Sequence, residues 1–355
     1  MMNIDDLRRR IDAVDLEIVK ALNERYELVK AVGDWKRANN APIYVPEREK
    51  MLLEKLAGIN PGPMRTETLY AIYTEIISGA RLLERPLSVA CLGPEGTYSH
   101  QAARRKFGHG AKYITVNSIP DVFREVEAGR ADYGCVPVEN STEGVVNPTL
   151  DTLRETSLHV IGEYYMEIRH QLLSHSAKAD INCIYSHPQI FGQCRRFLAA
   201  NFPGTTLIEV ASSVRAAELA AREPGAAALA GEEAAAIFEL PIVAANVEDI
   251  SGNTTRFLVI ADQTTRPTGK DKSSFCFVLK DRVGALVDAL EPLRDAGISM
   301  SMIESRPLHL GRWEYCFFID IIGHIEDPKV AELADNLKER CALFKLFGSY
   351  PMGEQ

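Results

Sequence analysis

Three clusters of small hydrogen-bonding residues carry most of the chemical potential of this chain. They are Pro137-Val138-Glu139-Asn140-Ser141-Thr142-Glu143-Gly144, Ser186-His187-Pro188-Gln189 and Asn253-Thr254-Thr255-Arg256-Phe257. Together they offer hydroxyls, amides and one guanidinium, with no cluster of metal ligands. Such a set suits acid-assisted elimination from a carboxylate substrate better than metal or redox chemistry. His187 reads more simply as a cap or packing residue, and His170 and His175 lack the further ligands that a metal site needs.

A second set lies near the amino terminus. Arg25 and Lys36 are eleven residues apart, which on a helix is about 20° of rotation and about 16 Å, so they share a face. Arg8 is rotated by about 100° from Arg25 and could complete such a site only from a partner chain. Cations turned into an apolar bundle would hold a dicarboxylate. Solvated surface charge is the plainer explanation of the same residues.

The elements that must position these groups fall into three blocks. From residue 4 to about 38, Ile4, Leu7, Ile11, Val14, Ile18, Leu22, Leu28 and Val32 recur at helical steps and predict one unusually long amphipathic helix. Helices after Pro46 and over 66–84 follow. Three helices with one so long cannot close a compact bundle alone, so the block predicts an intertwined dimer. Over 87–265, short apolar strands such as 87–91 and 133–138 alternate with helices such as 118–128 and 214–223, the pattern of an α/β domain with functional loops at strand ends. The alanine-rich 226–236 reads as helix. A polar linker over 263–272 precedes strand 273–280, helix 284–297, strands 298–306 and 314–322, helix 328–341 and a short final strand, a ferredoxin-like order.

With 355 residues the chain has room for two or three domains. Its 49 acidic against 40 basic residues argue against nucleic acid and favour small anionic partners. Seven scattered cysteines without a CxxC pair read as reduced, mostly buried thiols. No signal-like or membrane-length apolar run is seen, so a cytoplasmic protein with no membrane partner is expected.

Beyond these patterns, the first block resembles the all-helical chorismate mutase domain. The resemblance rests on Leu7-Arg8-Arg9-Arg10-Ile11-Asp12-Ala13-Val14-Asp15, Asn23-Glu24-Arg25, Val32-Gly33-Asp34-Trp35-Lys36 and Pro46-Glu47-Arg48-Glu49. It implies that Arg25, Arg48 and a partner's Arg8 hold carboxylates, Lys36 and Glu84 meet the ether oxygen, and Glu49 binds the hydroxyl of chorismate. Three positions depart from the family: Val45 replaces a common aspartate, Ala80 a serine, and Glu84 a residue that is glutamine in some members. A carboxylate donates only when protonated, so a mutase that uses Glu84 should weaken as pH rises.

The middle block resembles prephenate dehydratase. Gly93-Pro94-Glu95-Gly96-Thr97-Tyr98-Ser99-His100, the 137–144 cluster, the stretch from Tyr185 through Ser186, Gln189 and Gln193 to Cys194, and Asn253-Thr254-Thr255-Arg256-Phe257 occur in the family's order. The resemblance implies a two-lobed fold like a type II periplasmic-binding protein, one lobe holding 87–163 with the returning 250–261 and the other 167–245. It further implies that Thr255 assists departure of the ring hydroxyl, that Glu139, Asn140, Ser186 and Gln193 are site residues, and that Thr97, Ser99, Ser141, Thr142 and Arg256 hold prephenate's carboxylates.

In the last block, Gly284-Ala285-Leu286-Val287 and Glu304-Ser305-Arg306-Pro307 on a ferredoxin-like order resemble the ACT domain that binds L-phenylalanine in this family. The expectation is therefore a multidomain chain: mutase 1–86, dehydratase 87–264 and regulatory domain 272–355, acting as a homodimer or tetramer with no cofactor and no metal. Two rivals stand beside it. One is a dehydratase whose helical block only dimerises, and the other is a sensor of aromatic metabolites without catalysis.

Overall fold

The computed structural model describes residues 3–39, 41–279, 282–308 and 315–353. Chain contacts divide it into two compact units, residues 1–87 with 104–112, and residues 88–103 with 113–355.

In the helical unit, the Asn3 side chain accepts the Asp5 amide, and Asp5 and Asp6 lie in the first turn of helix Ile4–Ala38. Lys36 and Arg37 lie in its last turn, so both ends suit the helix dipole. Its 35 residues span about 52 Å. Gly33 is its one buried residue among those described, while Ile11, Val14, Ile18 and Leu28 on the apolar stripe are at least 50% exposed. Helix Pro46–Ile59 follows, with proline in the first turn where no amide partner is lost. Helix Thr66–Leu82 stops two residues short of the expected end and leaves Glu84 in a turn whose amide bonds the Arg81 carbonyl. Residues 104–112 pack with these helices: the Phe107 ring lies 5.3 Å from that of Tyr44, and His109 contacts Glu75 at 2.7 Å.

The second unit holds three sheets. In the first, Lys112–Val116, Ser88–Leu92, Tyr133–Asn140, Thr254–Ala261 and His159–Glu167 lie side by side in that order, with Gly144–Val145 added to Tyr133–Asn140. The strand Thr254–Ala261 runs antiparallel to both neighbours and places Thr255 opposite Asn140. The second sheet has the order Ile242–Ala244, Gln171–Leu173, Ala226–Ala230, Cys183–Ser186, Thr206–Glu209. The two expected lobes are these two sheets with their helices.

Residues Ala226–Ala230 form the centre of the second sheet and not a helix. All five are buried. Ala226, Ala228 and Ala230 pack on the side of helix Ser213–Arg222, and Ala227 and Leu229 on the side of Ile190 and Leu198. With helices on both faces there is no polar alternation to mark a strand, and small side chains let the helices approach closely, so tertiary context overrides alanine's helix propensity. Enlarging Ala228 to leucine is expected to destabilise the unit by about 1–3 kcal/mol. A denaturant midpoint equal to wild type would show that the sheet has slack.

The third sheet has the order Met300–Pro307, Tyr315–Ile322, Asp271–Leu279, Cys341–Pro351, and the helices Ala285–Ala296 and Pro328–Arg340 complete the ferredoxin-like order. The expected strand ends Lys280 and Glu314 lie outside the described residues. Gly284 precedes helix Ala285–Ala296 with φ 79°, a left-handed conformation that glycine adopts at little cost. The final strand is not short but runs for 11 residues. It is long because its second half, with buried Phe347 and Tyr350, joins a core shared with Val136 and Leu258 of the first sheet and Leu150 of helix Asn147–Glu155. Gly348 lets the strands touch there, since a Cβ would lie 2.1 Å from the Val160 carbonyl oxygen. Of the seven cysteines all are free, and all but Cys183 are buried. Among the described residues no helix is long and apolar enough to cross a membrane.

Candidate active sites

An open cleft of 410 Å³ lies between the first and second sheets. Strand alternation sends Thr255 and Phe257 into it from one side. Asn140, Thr97 and Ser99 line it as well, with Gln193, His187 and Ser212 from the second lobe. Among the described residues no lysine, arginine, aspartate or glutamate lines this cleft. Its polarity comes from hydroxyls, amides, two imidazoles and two helix starts, at Tyr98–Phe107 and at Ser213–Arg222, the latter capped by Ser212.

The hydrogen bonds around Thr255 have a definite direction. The backbone amides of Thr142 and Glu143 both donate to Asn140 Oδ1 at 3.0 Å, so that atom must be the oxygen. Asn140 Nδ2 then donates to Thr255 Oγ1 and to Asn253 Oδ1, each at 2.8 Å. Asn253 Nδ2 in turn donates to Gln193 Oε1 at 3.3 Å, and Gln193 Nε2 donates to Glu143 at 3.2 Å. Because Thr255 accepts from Asn140, its own hydroxyl proton is left for a group in the cleft.

Five expected residues lie elsewhere. Ser186 is fully buried and donates to the Leu229 carbonyl at 2.9 Å. Ser141 accepts the Thr254 amide at 2.9 Å, and Thr142 points outward while its amide holds Asn140. Glu139 is 41% exposed and sits 3.9 Å from Arg256. Arg256 differs most from expectation. One residue after Thr255 on the same strand, it must face the opposite side of the sheet, where Nε donates to Glu163 at 2.7 Å, Nη1 to Asp320 and Nη2 to Tyr350 at 2.9 Å. That guanidinium is 5% exposed and fully engaged, which leaves no donor for a carboxylate in the cleft.

The sequence alone weighs His170 only as a metal ligand and gives Tyr98 no role of its own. His170 is 1% exposed, with Nε2 2.7 Å from Gln193 Oε1 and Nδ1 2.6 Å from the Tyr98 hydroxyl. Burial lowers its pKa from the ordinary imidazole value, partly offset by the Gln193 bond and the charge of Glu248. His187, as expected, caps the next helix by accepting the Gln189 amide.

In the helical unit, Arg25 Nη1 is buried with no hydrogen-bond partner among the described residues, the state expected of a guanidinium that awaits an anion. Arg48 is exposed, and so is Arg8, whose nearest carboxylate is Asp5 at 3.7 Å. Lys36 donates to the Ile43 carbonyl at 2.7 Å and lies 3.9 Å from Glu84. Burial lowers the Lys36 pKa; Glu84 opposes that shift and Arg81 adds to it. Glu84 itself is 5% exposed and occupies the space left by Gly33, where a Cβ would meet it at 2.6 Å. Glu49 is ion-paired with Arg81 and with Lys106, the latter at 3.3 Å. Burial opposes the charge on Glu49, but these two cations outweigh it and hold the carboxyl below its usual range. Neither Arg81 nor Lys106 is marked by sequence spacing: one adjoins an expected site position, and the other lies far along the chain. Val45 caps the second helix without a side-chain bond, and Ala80 is buried.

In the third sheet, Leu286 packs on the core while Val287 is 64% exposed. Glu304, Ser305, Arg306 and Pro307 end strand Met300–Pro307, and Arg306 donates to Asp151 at 2.7 Å.

Among known proteins, the chain matches the family Chorismate mutase type II over residues 7–85, Prephenate dehydratase over 89–265 and the ACT domain over 276–339. A bifunctional chorismate mutase/prephenate dehydratase of Aquifex aeolicus is 45% identical over 356 residues, with 99% of this chain and 98% of that one covered. The protein of the same description from Stutzerimonas stutzeri is 41% identical over 352 residues, covering 97% and 96%. The solved prephenate dehydratase of Arthrobacter aurescens in complex with L-Phe superposes with a TM-score of 0.70 at 29% identity, over 75% of this chain and 90% of that one.

Proposed function

Since the chain belongs to the bifunctional chorismate mutase/prephenate dehydratase family, we propose that it turns chorismate into prephenate in its helical unit and prephenate into phenylpyruvate in its cleft, restrained by L-phenylalanine. The observation that carries the dehydratase assignment to residues is the Thr255 hydroxyl, which accepts from Asn140 and so keeps its proton for the cleft.

In the dehydration, the bond from the ring to its carboxylate breaks and carbon dioxide leaves. The freed electron pair aromatises the ring and expels the ring hydroxyl as hydroxide. Thr255 donates a hydrogen bond to that departing oxygen as charge grows on it. The threonine is far too weak an acid to act alone at neutral pH, so its effect is one of placement. The remaining carboxylate is met by the helix starts at Tyr98 and Ser213 and by the Ser99 and Ser213 hydroxyls, anion donors that need no formal cation.

In the mutase reaction the ether C–O bond breaks as a C–C bond forms, and the protein contributes conformation and charge placement. Arg25 takes a carboxylate, and Lys36 and Glu84 flank the ether oxygen. Arg8 completes the site from a second chain. The exposed apolar stripe of Ile4–Ala38 supports that arrangement, since a stripe of this length left in water would cost more than its helix gains. Chorismate turnover should fall at alkaline pH as Lys36, its pKa lowered by burial, loses charge. A wild-type profile flat to alkaline pH would exclude that role of Lys36.

The test of the whole reading is to supply chorismate alone, with and without L-phenylalanine, and follow chorismate and phenylpyruvate together. Loss of chorismate with phenylpyruvate that phenylalanine suppresses is the expected result. Phenylpyruvate from added prephenate but none from chorismate would reduce the helical unit to a dimerisation element, and none from either would leave a sensor.

A further inference from the structure

We propose that His170, locked by Tyr98 as the neutral tautomer with its proton on Nε2, is a positioning residue of the dehydratase that holds Gln193 and, through it, the donor geometry at Thr255. The proposal rests on the dehydratase reading above and deepens it.

Bond directions lead to it from one end of the network to the other. Glu143 takes the Gln193 amide nitrogen, so the Gln193 oxygen faces both Asn253 Nδ2 and His170 Nε2. An oxygen there requires a donor, which places the imidazole proton on Nε2. In the neutral ring Nδ1 is then an acceptor, and the Tyr98 hydroxyl at 2.6 Å supplies its proton. With the proton on Nδ1 instead, the Nε2 lone pair would face the Gln193 oxygen at 2.7 Å. Relief would come from turning the amide, which would set its oxygen against the Glu143 carboxylate and its nitrogen against Asn253 Nδ2. Asn253 would lose its partner, and Asn140, which bonds both Asn253 and Thr255, would lose its restraint.

The setting suits a permanently neutral ring. His170 is 1% exposed, and its edge packs against Tyr98 with centroids 5.6 Å apart. The charged or titratable groups around it are few. Glu248 accepts the His170 amide at 2.9 Å, Glu143 is reached only through Gln193, and Arg169 is turned to Glu167. Cys194 lies near Tyr98 and is pushed up to about 12, mainly by burial. Tyr98 is itself held well above the usual phenol range by burial and so remains a donor. Protonation of His170 would force Tyr98 to give its proton to the Arg169 carbonyl, 3.0 Å away, and release the lock.

The experiment joins a spectroscopic and a kinetic readout on the full chain. In ¹⁵N-imidazole spectra, with the His170 signals assigned by their loss in His170→Gln, a neutral Nε2–H tautomer is expected across pH 6–8. An Nδ1–H tautomer or a charged ring at pH 7 would overturn the proposal, whatever the activity. For prephenate turnover, His170→Leu should lose at least tenfold in kcat with KM within a few-fold. Because glutamine places an N–H near the Nε2 position, His170→Gln should recover most of that loss. Tyr98→Phe should move the acid limb of kcat to higher pH, since the neutral ring loses its donor. Equal loss in the leucine and glutamine variants with an unmoved acid limb in Tyr98→Phe would make His170 a mere packing residue. Absence of turnover in the wild type would count against the dehydratase reading instead, and the tautomer measurement would still decide the geometry.

Discussion

Truncating Arg256 to alanine is expected to destabilise the second unit by about 3–5 kcal/mol, a larger loss than at any surface charge of this chain. The guanidinium is 5% exposed and joins strands of two sheets: Glu163 from the first, and Asp320 and Tyr350 from the third. Lys272 reinforces it by donating to Glu163 at 2.8 Å. Burial opposes the charge on Arg256, but Tyr350, Asp320 and Glu163 together raise its pKa and keep it protonated. Without it, Asp320 and half of Glu163's compensation are left buried beside apolar core, and the desolvation already incurred is no longer offset. The pH dependence follows from Glu163. Burial would raise its pKa, yet Arg256 and Lys272 bring it below the usual 4.5. A carboxylate depressed in the folded state contributes stability that is complete above its unfolded pKa and is lost as pH falls through the folded one. In the alanine variant the folded pKa of Glu163 lies higher, so that acid loss should be smaller and be complete at higher pH. Denaturant unfolding of both proteins across acidic pH reads both effects, and coincident curves would show that the network is energetically idle.

Replacing Thr255 with alanine is expected to lower prephenate turnover by roughly 10²–10³-fold, the scale of losing one placed donor to a developing oxyanion. Chorismate loss should stay as in wild type, because that chemistry belongs to the other unit. Thr255→Ser keeps the hydroxyl, and Asn140 Nδ2 still fixes the direction of its lone pair, so most activity should remain. The contrast separates donation from packing, since alanine and serine both remove the methyl group. Comparable loss in the two variants would assign Thr255 a steric role.

The elements that position these groups were legible in proportion to how local their signals are. Helix Ile4–Ala38 announces itself by its apolar period, and the third sheet's order follows from strand and turn spacing. Asn140, Gln193 and Thr255 share the cleft because each sits near the end of an element, where short motifs carry information. What was hidden depended on the far side of an element. Ala226–Ala230 looks helical until helices are seen on both faces. Arg256 looks like an anion ligand until Glu163 on the neighbouring strand and Asp320 of the third sheet engage it, and the length of the final strand also reflects that third sheet. Ser186 faces a backbone carbonyl that no spacing reveals. His170 was dismissed as a metal ligand for sound reasons, yet its partners Tyr98 and Gln193 lie 72 and 23 residues away, and only the fold brings them together.

The most direct test of the account is to feed chorismate to the Thr255→Ala protein beside the wild type at neutral pH and measure prephenate and phenylpyruvate over time. The account predicts that the wild type passes chorismate through to phenylpyruvate, while the variant consumes chorismate at the same rate and accumulates prephenate in its place. Phenylpyruvate forming in the variant at a near wild-type rate would contradict it, because the cleft would then expel hydroxide without the donor on which the mechanism is built.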